Sequence, residues 1–359
     1  MKIVHVVECF AGGVFSFLSN LTNELDKEEY IIIYGINRDN TPNNFKEKFP
    51  QNTKFIPWKS ASRNLNPLKD LKALWELYNI LKKIDTIDII HLHSSKAGFL
   101  GRIVSFLLGK SNRTIYTPHA ISFLRLDVSP QKRKIFIWME KFASFFGGKI
   151  VACSQSEKEA IEEQGIKNVT FINNGIKPLQ VEKKVNTSDK ITIISVGRLS
   201  IQKNPKLFND IALEFINNTN VQFIWCGDGE LKSELTSPNI KCTGWIKKKD
   251  LESYLAIADI YLSTSLWEGL PLSVLEAMSI GLPVVLSNCV GNRDLVEDNG
   301  ILYNNKTESI KIINNFRENN KLFIFKGKKS KEMFFKEFDL KNMSKKYYSL
   351  YRKIKKDRF

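Results

Sequence analysis

Paired cysteines are missing from this sequence. Its five (Cys9, Cys153, Cys226, Cys242 and Cys289) are odd in number, widely spaced and without a C-x-x-C pair. That pattern excludes a disulfide framework or a zinc ribbon and fits a reducing compartment. No apolar run approaches the roughly 18 to 20 residues that a bilayer-crossing helix needs, so no transmembrane anchor is expected. The apolar start, Met1 to Phe10, is interrupted by His5 and Glu8 and reads as a first β-strand, not as a signal peptide. Acidic residues are also short: 38 Asp and Glu stand against 54 Lys and Arg, a formal charge of +16. Two readings of that excess stand side by side, a coding bias toward Lys, Asn and Ile, and attraction to an anionic membrane surface or a lipid-linked phosphate. No nucleic-acid-binding motif accompanies the charge, and nucleic acid is set aside as a partner.

The chain has 359 residues, of which 43% are hydrophobic and 26% charged. That length suits two domains of about 150 to 180 residues. Short β-branched runs alternate with helical-period segments: Ile3–Val7, Ile31–Gly35, Lys54–Pro57, Ile87–Leu92, Thr114–Thr117, Ile150–Ala152 and Val169–Ile172. Such alternation implies βαβ units and a doubly wound parallel sheet. The rhythm restarts at Thr192–Val196, Gln222–Cys226, Ile240–Thr243, Ile260–Ser263 and Pro283–Ser287. The fold class is therefore α/β, with an N-terminal Rossmann-like domain at 1–178, a polar linker at 179–190 and a second such domain at 191–332. A basic helix at 333–359 is expected to pack back on the first domain.

In open parallel sheets the ligand crevice lies beyond the carboxyl ends of the strands. Four strand ends of the second half carry polar residues or glycine. Gly197-Arg198-Leu199-Ser200-Ile201-Gln202-Lys203-Asn204-Pro205 sets two cations before a helix that Asn204 caps and Pro205 begins, which makes an anion site. Gly227-Asp228-Gly229 allows a tight turn or close ligand approach. Gly244-Trp245-Ile246 offers backbone groups and a flat ring to a nucleobase, with a core tryptophan as the structural alternative. Glu268 and Glu276 stand seven residues apart within Ser263 to Met278. Ser273-x-x-Glu276 reads as a helix capping box, while Glu268 has no such local explanation. Leu272 and Ser273 present helix-terminal amides to a diphosphate.

Together the E-x7-E element at Glu268–Glu276, Ala277-Met278-x-x-Gly281-x-Pro283-Val284-Val285, Gly197-Arg198-Leu199 with Lys203, and Gly227-Asp228-Gly229 resemble the retaining glycosyltransferase family 4. Gly12-Gly13, His119 in Thr117-Pro118-His119, Asn174-Gly175-Ile176 and His91-x-His93-Ser94-Ser95-Lys96-Ala97-Gly98 extend the resemblance over the first half, toward bacterial surface-polysaccharide members. The resemblance implies the GT-B fold, two Rossmann-like domains facing across a central cleft, the first binding the acceptor and the second the donor. It implies that Arg198 and Lys203 neutralise the donor diphosphate, that Glu276 holds the ribose and that Glu268 meets hydroxyls of the transferred sugar. Leu272 and Ser273 would contact phosphate, Trp245 and Ile246 would flank the base beside Gly227, His119 would face the reacting sugar, and Gly13 would allow close approach to the diphosphate. Gly269-Leu270-Pro271 departs from the family's usual G-F-G and leaves the sugar open.

The implied reaction is retaining transfer of a hexose or N-acetylhexosamine from a nucleotide-sugar, a UDP-sugar by family frequency, to a lipid-linked saccharide in O-antigen, capsule or lipopolysaccharide synthesis. There is no D-x-D motif for a divalent ion, so neither metal nor cofactor is expected. His91 and His93 are expected to point to alternate faces of their strand, only one reaching the crevice. Ile135, Trp138, Met139, Phe142, Phe145 and Phe146 form an apolar stripe behind Lys132-Arg133-Lys134. The first expectation for it is packing on its own sheet, the alternative docking on the inner face of the cytoplasmic membrane. The rivals are a GT-B nucleotide-sugar 2-epimerase and a non-catalytic nucleotide-sugar binding protein. A nicotinamide oxidoreductase is disfavoured, because Gly12-Gly13-Val14-Phe15-Ser16 lacks G-x-G-x-x-G spacing and Tyr34-Gly35-Ile36-Asn37 ends the second strand without an acid.

Overall fold

The computed structural model describes residues 1–36, 41, 44–62, 66–184 and 190–357. Asn37 and residues 185–189 of the expected linker lie outside the described residues. The chain divides into two units, Met1–Gly175 with Leu340–Phe359, and Ile176–Asp339.

The first unit runs β1 (Lys2–Val7), α1 (Gly12–Glu24), β2 (Glu29–Gly35), β3 (Lys54–Trp58), α2 (Pro67–Lys82), β4 (Ile89–His93), α3 (Ser95–Leu107), β5 (Thr114–Thr117), α4 (Pro130–Ser144), β6 (Lys149–Ala152), α5 (Gln155–Glu162) and β7 (Val169–Phe171). Its strands make a parallel sheet in the order β3-β2-β1-β4-β5-β6-β7. Continuous apolar runs such as Ile31 to Ile33 suit strands buried on both faces. Val4, Val6, Ile90 and Leu92 pack on one side with Ala73 and Leu77 of α2 and Leu100 of α3. Ile3, Val7 and Ile89 pack on the other with Phe17, Leu18 and Leu21 of α1.

The second unit runs β8 (Ile191–Val196), α6 (Pro205–Leu213), β9 (Val221–Cys226), β10 (Ile240–Cys242), α7 (Lys248–Ile257), β11 (Ile260–Ser263), α8 (Leu272–Ser279), β12 (Val284–Ser287), β13 (Gly300–Tyr303), α9 (Lys306–Glu318) and α10 (Asn320–Met333). The order β10-β9-β8-β11-β12-β13 repeats the doubly wound pattern. In both units the winding reverses beside the first strand, between β1 and β4 and between β8 and β11. Strand β13 escapes the sequence reading because Gly300 opens a run of only four residues.

The crossings between units fall at Gly175–Ile176 and Asp339–Leu340, not at 178 and 332. A parallel bridge of Ile176 with Asp339 sets the two crossing points side by side. The described part of the stretch read as a linker is tied to the second unit: the Leu179 amide donates to Ser279 Oγ at 3.3 Å and the Lys184 amide to the Ala256 carbonyl at 2.8 Å. The final helix, α11 (Leu340–Lys356), starts after a π-turn at Phe334–Phe338. It belongs to the first unit, where Leu340, Met343, Tyr347 and Tyr351 join the core beside α1.

Four residues of the stripe on α4 face outward, against the first expectation: Trp138 is 62% and Phe145 82% exposed, with Ile135 and Phe142 exposed as well, while Met139 and Phe146 are half-buried. Phe136, Glu140 and Ala143 meet the protein, where Phe136 packs on the core and a buried ion pair reinforces the orientation. Arg102 Nη2 donates to Glu140 Oε2 at 2.5 Å while its guanidinium lies 4.7 Å from the Tyr116 ring centre. The Tyr116 hydroxyl donates to the other Glu140 oxygen at 2.9 Å.

Candidate functional site

At the reversal point of the second unit, the loops that leave β8 and β11 meet. Lys203 closes a 3-10 turn, and Asn204 then caps α6 by accepting from the Leu207 amide. Thr264 Oγ1 donates to the Lys203 carbonyl at 2.8 Å, and the Leu266 amide to the Gln202 carbonyl at 2.8 Å. These bonds fix the two loops to one another, and their side chains converge on a carboxylate. Lys203 Nζ lies 2.7 Å from Glu268 Oε1, Ser265 Oγ donates to the same oxygen at 2.8 Å, and Gln202 Nε2 donates to Oε2 at 3.1 Å. Glu268 is buried. Burial opposes the charge on Lys203, but Glu268 overrides it and holds the ammonium above its usual pKa. An ammonium has three donors, and one bond to Glu268 leaves two for a ligand.

Gly291 makes room for this carboxylate: its φ is +84°, and a Cβ there would stand 2.8 Å from that of Glu268. Gly227 (φ +147°) passes so close to Gly197 that a Cβ would lie 2.1 Å from its carbonyl oxygen. The glycines after β8 and β9 thus serve backbone packing, whatever else they contact.

Helix α8 begins with Pro271 at its N-cap and without a side-chain cap. Ser273 and Glu276 therefore do not form the expected capping box, because Pro271 starts the helix two residues early. Ser273 Oγ instead accepts from the Tyr261 hydroxyl at 2.8 Å. The amides of Leu272 and Ser273 stand in the first turn, where helix dipole and free N–H groups favour an anion. Glu276 is half-buried, and burial, with Glu252 adding and Lys248 opposing, pushes its carboxyl up to about 7. Arg198 stands apart from the Lys203 cluster, its Nε donating to Glu230 Oε2 at 3.1 Å with both side chains about half exposed. Trp245 is 67% exposed, which removes the core-tryptophan alternative, and Ile246 is half-buried.

In the first unit, Gly12 and Gly13 begin α1, whose N-cap Ala11 offers no side-chain cap; a Cβ on either glycine would meet nothing within 4 Å. His119 follows β5 in a loop where it and Ala120 both take positive φ, 54° and 72°. It lines a pocket of about 250 Å³ together with Asp70, Ser95, Lys96, Phe99, Phe136 and Met139. Lys96 Nζ is 2.6 Å from Asp70 Oδ1. His91 and His93 share one face, as residues two apart in a strand must, which corrects the expected alternation. Together with His5 they bring three ring nitrogens within 4.8 Å, a spacing that suits a metal. His91 already bonds the Tyr351 hydroxyl and Thr117 Oγ1, and His93 bonds His5 and His119. A cation would have to break those bonds.

Gln202, Ser265, Tyr261 and Gly291 were not singled out from the sequence. Gln202 and Ser265 sit inside the motifs already marked, adjacent to Lys203 and three residues before Glu268. Tyr261 and Gly291 are reached only through the sheet and carry no local signal.

The model described as Glycosyltransferase Family 4 matches residues 11–178, and that described as Glycosyl transferases group 1 matches residues 190–317. The chain is 34% identical over 274 residues to the UDP-Gal:alpha-D-GlcNAc-diphosphoundecaprenol alpha-1,3-galactosyltransferase of Escherichia coli, covering 68% of each chain. It is 29% identical over 322 residues to an uncharacterized 41.2 kDa protein in the cps region of Klebsiella pneumoniae, covering 85% of this chain and 86% of that one. Among solved structures, Anabaena HepE in complex with UDP and glucose superposes with a TM-score of 0.78 at 20% identity, over 98% of this chain and 99% of that one. Family models across both units and a relative at this level of identity identify the chain as a glycosyltransferase of family 4, the group 1 glycosyl transferases, with the GT-B fold.

Proposed function

We propose that this chain transfers a hexose or N-acetylhexosamine, with retention and without a metal, from a UDP-sugar to a lipid-linked saccharide in surface-polysaccharide synthesis. The observation that carries this reading is the cluster of Lys203, Glu268, Gln202 and Ser265 at the β8/β11 reversal. It supplies a cation and an oriented carboxylate beside the uncapped amides of α8. In this reading Lys203 and Arg198 take the diphosphate with the Leu272 and Ser273 amides. Glu268 accepts from hydroxyls of the sugar, Glu276 from the ribose, and Trp245 with Ile246 lies against the base beside Gly227. Gly13 and His119, in the first unit, keep the roles that the family resemblance implies for them.

During transfer the bond from the anomeric carbon to the diphosphate oxygen breaks and one to the acceptor oxygen forms on the same face. The acceptor proton passes to the departing diphosphate. The protein then has to stabilise the leaving charge and hold the partners in place, which fixed cations and helix-terminal amides do without reorganising.

The UDP-Gal donor and diphosphoundecaprenol-linked acceptor in the name of the E. coli relative support a UDP-sugar and a lipid-linked acceptor. The pocket of the first unit, lined by the Lys96–Asp70 pair and the rings of Phe99 and Phe136, suits an acceptor sugar. No described helix is long and apolar enough to cross a membrane. The exposed stripe of α4, headed by Lys132, Arg133 and Lys134, supports docking on an anionic surface at the cytoplasmic face of the membrane. Nucleotide release across UDP-, GDP- and ADP-sugars in EDTA, with wild type, Glu268→Ala and Arg198→Ala, tests the reading. Release from one donor that both substitutions suppress is expected. Loss of turnover in EDTA, or free epimerised donor formed without acceptor, would overturn it.

A further inference from the structure

The chain has four histidines, all in the first unit and all in contact. Three form an unbranched hydrogen-bonded line. His5 Nδ1 lies 2.9 Å from His93 Nε2, His93 Nδ1 lies 3.0 Å from His119 Nε2, and His119 Nδ1 faces Cys153 Sγ at 3.6 Å. His91 stands beside the line, both its nitrogens held by oxygen partners, Tyr351 and Thr117. The strands build this arrangement: β1 and β4 are paired with His5 opposite His91, and His93 follows two residues on along the same face.

A neutral imidazole has one N–H donor and one acceptor, so every bond of the line must run in the same direction. The free end decides which. His5 Nε2 is buried and has no hydrogen-bond partner among the described residues. If the line donates toward Cys153, that atom is a bare acceptor; if it donates the other way, it is a buried N–H with nothing to receive it. Orphaned buried donors are the rarer condition. His5, His93 and His119 therefore all carry the proton on Nδ1, and His119 accepts at Nε2.

We propose that His93, with His5 behind it, is a positioning residue of the transfer site, locking His119 as a neutral Nδ1–H imidazole in a fixed ring plane. Both nitrogens of His119 are then engaged by the protein, so it transfers no proton. Its anchored ring holds the strained turn at His119 and Ala120 that lines the pocket of the first unit. The groups facing the line are Tyr30 from β2 and Cys153 with Glu157 beyond it, Phe17 of α1 covers it, and Tyr347 and Tyr351 from α11 face His91 beside it. None supplies a carboxylate in contact with an imidazole, and burial keeps the four histidines well below their ordinary pKa.

This inference rests on the reading that His119 belongs to the transfer site, and the test separates the two. In the whole chain labelled with ¹⁵N-histidine, four ring systems are resolved and assigned by single His→Gln variants. His119 is expected as a pure Nδ1–H tautomer that does not titrate between pH 5.5 and 8. In His93→Phe it is expected to become a tautomer mixture that titrates, while kcat for nucleotide release falls by between about 10- and 100-fold with KM for donor little changed. A wild-type His119 protonated at Nε2 would overturn the inference, and that measurement needs no folded variant. So would a His93→Phe protein in which the His119 spectrum and kcat are both unchanged. Wild-type turnover in His119→Ala would instead defeat the placement of His119 in the site, whatever its tautomer.

Discussion

The two units wind their sheets the same way and fill the reversal point with opposite chemistry. Between β8 and β11 the polar groups are charged and paired, Lys203 with Glu268. Between β1 and β4 they are imidazoles held neutral by burial. The difference follows from where the side chains leave the backbone. Lys203 and Glu268 stand in loops beyond the strand ends, where partners and solvent can support charge. His5 and His91 stand inside strands, covered by α1 and α11, where an ion would lose its hydration without a counter-charge.

The largest expected effect that sharpens this comparison is on the first unit alone. Glu140→Ala strands Arg102 in the core and should cost about 3 to 5 kcal/mol. Denaturant unfolding of the whole chain should separate into two transitions, the first unit's moved and the second's not. Next is the charged site: Glu268→Ala should lower turnover by about 100- to 1,000-fold, the scale for losing one oriented group at a reacting centre. Equal turnover in the variant would place the chemistry elsewhere.

Acid should part the units further. The histidines of the first unit are held below the ordinary 6.5, His5 and His119 down to about 3. Above pH 6.5 both folded and unfolded forms are neutral; below it the unfolded chain binds protons first. Stability is therefore lost as pH falls from about 6.5 toward 3, by about 1.4 kcal/mol per pH unit for each histidine. Glu276 in the second unit has the reverse sign, its carboxyl raised from 4.5 to about 7. Its contribution is present below pH 4.5 and lost as pH rises to about 7. Thermal unfolding across pH 4 to 8 should show the first unit weakening with acid while the second does not; parallel loss in both would break the contrast. The smallest effect is at the surface, where Trp245→Ala should change stability by less than about 0.5 kcal/mol. It should nonetheless raise the donor KM, by about 1 to 3 kcal/mol of lost stacking on the base.

The alternation of apolar runs was enough to read twelve of the thirteen strands among the described residues, because parallel strands covered on both faces must be continuously apolar and short. The motif glycines, Arg198, Lys203 and Glu268 could be marked in the sequence because each follows a strand end with a local turn or helix signal, and Glu276 by its spacing from Glu268; their roles belong to the proposed reaction. Gln202, Tyr261 and Gly291 were not, since their roles exist only when loops distant in sequence meet. The outward turn of α4 was hidden for a related reason: the packing of Phe136 and Ile137 and the buried Arg102–Glu140 pair orient the helix together, and both depend on residues distant in sequence.

By itself, then, the sequence determined the class of sheet, the two-domain plan and the residue types available at each strand end, all of which depend on local periodicity and capping. Tertiary structure alone decided that Lys203 meets Glu268, that Ser273 bonds Tyr261 instead of capping its helix, and that four scattered histidines form one cluster, three of them buried. Those outcomes depend on which strands become neighbours, and strand order is fixed by packing across the whole unit and not by any segment within it.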